Sequence, residues 1–190
     1  MGIRKRLSAA LAEQVMVRID LRPKHADRLD GFVVGIGDKW ALIAATMDGG
    51  YFDGYQAFRL KDVERVRRDT SFEGRFARTQ PEWPPSSPPV DLDSTGGLVA
   101  SLAACSPLIG IEKAEERAAI WIGTLYKAGR KWTWLHEVAP DGSWSDTPLG
   151  YRTRRITNIR VSTHYLTALA KIADKQPTLS PPIQSATGQR

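Results

Sequence analysis

Three histidines, a single cysteine and a cluster of arginines are the side chains of this 190-residue chain that could do chemistry. His25, His136 and His164 lie far apart, and no two are spaced as ligands on one helix or in one hairpin loop, which argues against a metal centre. His136 falls in the alternating run Trp132, Trp134, His136, Val138, so it is expected to face a core as a hydrogen-bonded interior histidine. His25 follows Pro23-Lys24 in a loop, and His164 opens the last helix. Cys105 excludes an internal disulfide; at the end of the Ala-rich run Leu98 to Ala104 it reads as a small buried residue rather than a nucleophile. No Ser-His-Asp arrangement, carboxylate pair or phosphate loop can be assigned. Gly35-Ile36-Gly37 starts like a dinucleotide fingerprint, but a hairpin follows instead of a helix, so these glycines read as turn and packing residues. The expected catalytic, cofactor-binding and metal-binding sets are therefore empty, and the chain reads as non-enzymatic.

Charge offers more. Residues 1–94 hold 15 Lys or Arg against 14 Asp or Glu, whereas residues 95–190 hold 12 against 7. In the first half Arg65, Arg67 and Arg68 alternate with Asp62, Glu64 and Asp69, the pattern of a solvated face with ion pairs. In the second half Arg152, Arg154, Arg155 and Arg160 gather around the last strands. A solvated face is the first reading there too. The alternative is a nucleic-acid surface, in which these four arginines track phosphates and Trp144 or Tyr151 offers a stacking platform for bases.

The elements that must position these residues are legible in the stretch Arg28 to Arg68. Phe32, Val34 and Ile36 share one face of an extended segment, and Trp40, Leu42 and Ala44 share one face of the next. The break Gly37-Asp38-Lys39 between them is hairpin chemistry. Asp48-Gly49-Gly50 makes a second turn before the aromatic-rich strand Tyr51 to Arg59, and a tight turn at Leu60 to Val63 leads into a last short strand. Val15, Val17, Ile19 and Leu21 add a leading strand, and Leu7 and Leu11 lie on one side of a leading helix. Five short strands in so few residues suit a small, strongly bent barrel.

The pattern recurs. Val34-Gly35 returns as Ile122-Gly123, Lys39-Trp40 as Lys131-Trp132, Asp48-Gly49 as Asp141-Gly142, Tyr55 as Tyr151, and Val63 with Val66 as Ile156 with Ile159. The flanks follow: Leu7 and Leu11 match Leu98 and Leu102, Val17 and Ile19 match Ile109 and Ile111, and Phe72 and Phe76 match Tyr165 and Leu169. Spacing between members is nearly constant, so the expected organisation is two modules, residues 1–80 and 94–175. Between them Pro81-Glu82-Trp83-Pro84-Pro85-Ser86-Ser87-Pro88-Pro89 begins a Pro-rich linker, 81–93, read as a semi-rigid spacer with Trp83 clipping it onto a module. Ser94-Thr95 caps the next helix and Pro107 ends it. The polar tail 176–190 is expected to be disordered.

Modules of this size bury modest cores, so they should pack on each other or on another subunit. Trp40 and Trp132, equivalent in position, are both expected to be buried, with truncation to alanine costing ~3–5 kcal/mol. No segment reaches the ~20 apolar residues of a membrane span and no signal sequence follows the basic start, which reads as a cytoplasmic protein without membrane contact.

A leading helix, five bent strands and a tight turn before the last strand resemble the Sm-like and SH3-like small barrels. The segments GFVVGIGDKWALI and DGYQAFRLKDVERV are similar to those of uncharacterised bacterial proteins built of tandem modules, and the likeness covers both halves. It implies a mainly β fold with short helices, two tandem five-stranded barrels each with a leading helix, and no established activity. The Sm-type RNA pocket would call for an Arg-Gly pair near the last strand. Val63-Glu64-Arg65-Val66-Arg67-Arg68 and Ile156-Thr157-Asn158-Ile159-Arg160 both lack it, so no family binding residue carries over. The expected function is that of an interaction or scaffold protein with a protein partner, a homo-oligomer being compatible; the alternative is RNA or single-stranded nucleic-acid binding through the basic second module.

Overall fold

The computed structural model describes residues 2–22, 28–116 and 119–178; His25 and the tail from 179 onward lie outside them. Helix α1 (Ile3–Glu13) precedes strands β1 (Met16–Leu21), β2 (Leu29–Ile36), β3 (Trp40–Thr46), β4 (Phe52–Arg59) and β5 (Val63–Arg68), and the short α2 (Glu73–Ala77) follows. The second half runs α3 (Thr95–Cys105), β6 (Ile109–Lys113), β7 (Trp121–Ala128), β8 (Trp132–Glu137), β9 (Leu149–Arg152), β10 (Ile156–Val161) and α4 (His164–Ile172). A 3-10 turn precedes the last strand of each half, Leu60–Asp62 before β5 and Thr153–Arg155 before β10. The Ser94 hydroxyl accepts from Gly97 N at the start of α3 and the Thr163 hydroxyl accepts from Leu166 N at the start of α4, so both helices begin on a side-chain cap.

All ten strands form one antiparallel sheet in the order β5-β1-β2-β3-β4-β10-β6-β7-β8-β9. Each half thus has the same internal order, its last strand lying beside its first. Two separate barrels were the expectation, whereas the sheet is open and continuous: β4 pairs with β10, with Phe58 opposite Asn158, Ala57 opposite Ile159, Gln56 opposite Arg160 and Tyr55 opposite Val161. The reason lies in edge chemistry. A strand left at an edge exposes a row of backbone donors and acceptors, and the two halves satisfy one such row on each other.

The ladders also correct the sequence matches. Trp40 faces Arg59 and Trp132 faces Arg152. Tyr151 then holds the ladder position of Phe58, not of Tyr55. Gly123 stands opposite Glu137 as Gly31 stands opposite Ala45, so Gly123 corresponds to Gly31 rather than to Gly35. Both glycines are required by close backbone approach: a Cβ would come within 2.2 Å of the Ala44 carbonyl oxygen at Gly31 and within 2.1 Å of that of His136 at Gly123.

One core belongs to the first half, where Leu7 and Ala10 of α1 close over Ile19, Val33, Ile43, Phe58 and Val66. A second lies at the joint: Leu98, Val99 and Leu102 of α3, with Ile109, Ile111 and Ile159, enclose Trp40, Leu42 and Ala57 contributed by β3 and β4. This explains why β3 is buried on both faces, although its residues were expected to alternate between core and solvent. Smaller clusters lie under α2, around Phe32 and Phe52, and under α4, around Ile122 and Val138.

The segment joining the halves does not span free space. Trp83 packs edge-on against Phe32 with ring centroids 5.0 Å apart, and the Leu92 carbonyl accepts from Trp40 N at 3.0 Å. Gln176 is likewise ordered, donating to Thr124 Oγ1 at 2.8 Å. Cys105 ends α3 with its side chain exposed, contrary to expectation, as the terminal residue of the helix beyond Leu102, its last buried residue.

Candidate interaction surface

At the joint between β4 and β10 a Trp–Arg pair is buried, forming part of the wall of a cleft of about 400 Å³. Trp40 is 0% exposed, its indole N donates to Thr95 Oγ1 at 3.2 Å, and the Arg59 guanidinium lies over its ring at 5.4 Å. Arg59 Nη2 crosses into the second half, donating to the Arg154 carbonyl at 2.7 Å and, more weakly, to that of Thr153 at 3.4 Å. Burial lowers the pKa of this guanidinium from its ordinary value, an effect opposed by the nearby Asp62 carboxylate. Asp53 braces the same joint by accepting from the backbone N of His164 at 2.7 Å and from its ring Nδ1 side at 2.9 Å, so His164 ties the start of α4 to β4.

The far end of the sheet carries the same pair uncovered. Arg152 lies over the Trp132 ring at 4.4 Å, but Trp132 is 38% exposed, which overturns the expectation that it is buried. Trp40 is covered by α3 and Leu92 of the following segment; no described element follows β9 to cover Trp132 in that way. Trp134, 37% exposed, lies beside it with centroids 6.2 Å apart and roofs Gly150, and Leu149 is exposed at the start of β9. Among the described residues β9 pairs only with β8. Next to this edge is a cleft of about 460 Å³ lined in part by Lys113, Glu116, Trp132, Arg152, Arg154 and Arg155.

The other terminal edge is β5, which pairs only with β1 among the described residues. A groove of about 540 Å³ runs between it and α1, lined by Arg6, Ala9, Ala10, Val66 and Arg67 among others. Leu11 on α1 is 36% exposed, while Leu102, its match on α3, is 0% exposed in the joint.

Of the six residues singled out from sequence, Tyr151, Arg152, Arg154 and Arg155 line the cleft beside β9, whereas Trp144 and Arg160 do not. Arg155 pairs with Glu115 at 2.7 Å, and Arg160, on β10, pairs with Glu112 at 2.7 Å. The Tyr151 ring is buried in the joint core, packed against Trp121 at 5.8 Å, and so is no platform for a base. Trp144 is on the α4 side, where its indole N donates to the Asp174 carbonyl at 2.8 Å and its ring packs on His136. His136 is 0% exposed, with Nε2 2.7 Å from the Ser145 carbonyl and Nδ1 3.2 Å from Gln176 Nε2. Next to it Glu137 is partly buried and one carboxylate oxygen lacks a hydrogen-bond partner; burial raises its pKa, with Lys113 opposing. The described residues contain no group of three or more His, Cys, Asp or Glu able to hold a metal ion.

Sequence reading missed Trp134, Leu149 and the role of Arg59. A signal was available: Arg59 and Arg152 are a charged pair recurring at the spacing of the apolar matches, and Trp134 stands where the first half has Leu42. No family model, curated protein or solved structure matches the chain.

Proposed function

We propose that this is a non-enzymatic interaction protein made of two tandem modules of the Sm-like or SH3-like kind, and that the edge formed by β8 and β9 is its docking surface for a protein partner. The observation that carries this reading is the exposed Trp132–Arg152 pair, which has the ladder position and stacking of the buried Trp40–Arg59 pair. Exposed tryptophans beside an arginine and an open strand edge are the ingredients of strand addition anchored by aromatic contacts. Affinity capture with the full chain, followed by mass spectrometry and chemical cross-linking, tests it. Cross-links should fall on β8 and β9, and Arg152→Glu should abolish capture. Cross-links confined to other surfaces would move the site.

A second reading, RNA or single-stranded nucleic acid, is favoured by one observation: Trp132 and Trp134 are exposed next to Arg152 and offer stacking where Trp144 and Tyr151 do not. Polarisation titrations of a mixed oligonucleotide pool at two salt concentrations decide it. Each phosphate contact contributes a slope of about −0.7 in log K against log salt, and absence of binding at low salt removes this reading.

A further inference from the structure

The joint between β4 and β10 holds a buried charge without a counter-ion. Arg59 is 8% exposed, and of its three guanidinium nitrogens only Nη2 makes hydrogen bonds, to the Arg154 and Thr153 carbonyls. Among the described residues no carboxylate lies within ion-pair distance of it, and Asp62 acts on it only through its field. Burying a guanidinium is costly unless an anion and enough acceptors meet it, and burial does lower the pKa of this one.

Arg59 and Trp40 are the most buried residues lining the cleft of about 400 Å³, and Asp38, Lys39, Leu60, Lys61, Thr95 and Arg154 complete the lining. Lys39, Lys61 and Arg154 are exposed and make no ion pair among the described residues. The one carboxylate of the lining, that of Asp38, is already shared with Arg4 at 3.8 Å. Thr95 Oγ1 accepts from the Trp40 indole at 3.2 Å, so its own proton is free to donate. Both halves contribute. Lys61 and Arg154 are the middle residues of the two equivalent 3-10 turns, which the joint brings to one cleft, and Thr95 opens α3.

We propose that this cleft binds a small phosphorylated molecule, whose phosphate groups meet Arg59, Lys39, Lys61 and Arg154 and bridge the two halves. The volume falls within the ~300–1,000 Å³ of small-molecule sites. Four cations against one paired carboxylate match a multiply charged anion, and a single carboxylate would leave most of them unmet. Trp40 is 0% exposed, so no base can stack on it, and recognition is of phosphate groups rather than of a ring. The positive end of the eleven-residue α3 adds to the field at Thr95.

Isothermal titration calorimetry on the full chain, with inorganic pyrophosphate and with ATP as probes, tests the proposal. Both should bind saturably at low salt and more weakly at high salt, and each should raise the melting temperature as its concentration rises. Lys39→Glu and Lys61→Glu change exposed side chains without an ion pair, and each should weaken pyrophosphate binding by about tenfold. Arg59→Lys keeps the charge but loses the planar fork, and should weaken it by a similar factor, with circular dichroism checking the fold. Arg65→Glu and Arg152→Glu change the net charge equally but away from the cleft, and should leave affinity within about twofold. Arg154 also lines the cleft beside β9 and is left unsubstituted, so that the two sites are read separately. Absence of saturable binding at low salt overturns the proposal, as does affinity that ignores both lysine substitutions. Equal weakening by Arg65→Glu overturns it too, by reducing the binding to a diffuse response to net charge. Displacement of pyrophosphate by an oligonucleotide pool at a lower phosphate concentration than ATP requires overturns the small-molecule assignment and gives the cleft to a nucleic-acid backbone.

Discussion

The Trp40–Arg59 and Trp132–Arg152 pairs share residue types, cross-strand register and stacking, yet one is buried and the other is half open. Identical local chemistry therefore has two energetic meanings. At the joint, α3 and Leu92 remove Trp40 from water and Arg59 donates to carbonyls of the second half, so the pair holds the halves together. At the far edge the indole and guanidinium stay exposed to water. The difference is one of neighbours, not of the pair itself.

Substitution separates the two regions. Trp40→Ala should cost about 3–5 kcal/mol, because it empties a fully buried site, whereas Trp132→Ala should stay within about 1 kcal/mol. Chemical denaturation of both variants measures this, and equal losses would end the comparison. Leu102→Ala and Leu11→Ala extend it to the helices: about 2–5 kcal/mol for the first, about 0.5 kcal/mol for the second, read from the same titrations. Arg59→Ala should cost about 1.5–3 kcal/mol by removing the donor that reaches the Arg154 carbonyl at 2.7 Å, while the Thr153 carbonyl keeps the Ile156 N–H. Arg152→Ala removes only an exposed cation–π contact, worth about 0.5–1 kcal/mol.

The smallest effect concerns Glu137, at the opposite end of β8 from Trp132. Its folded-state pKa is raised by burial, so the neutral form is favoured in the folded protein. The stability this provides is complete below the ordinary glutamate range and is lost as pH rises through the folded pKa. Glu137→Gln should therefore raise the melting temperature modestly at neutral pH, with the gain vanishing in acid. A gain that is independent of pH would assign the effect to packing rather than ionisation.

Local chemistry made much of the fold legible. Alternation in Phe32 to Ile36 and in Trp40 to Ala44, the turn at Gly37-Asp38-Lys39 and the cap at Ser94 each act within a few residues, so strands and helices could be placed from sequence. Matching the halves by residue type gave the correct order of elements but slipped at Gly35 and Tyr55, because a β ladder is fixed by partners on the neighbouring strand. The candidate site was less legible. Arginines cluster in sequence at 152–160, yet strand geometry sends Arg152 to the open edge and Arg160 to an ion pair with Glu112, and Tyr151 turns inward between them.

What the sequence determined by itself was the set of elements and their order, since hydrophobic period, turn residues and caps are short-range properties of the chain. Only the tertiary structure decided that β4 adds to β10, that Trp40 is sealed while Trp132 is not, and that Arg59 satisfies carbonyls nearly a hundred residues away. Burial depends on what the rest of the chain places against a residue. A tryptophan beside an arginine has the same local preferences in both halves, and the cover supplied by α3 and Leu92 to one of them makes the difference.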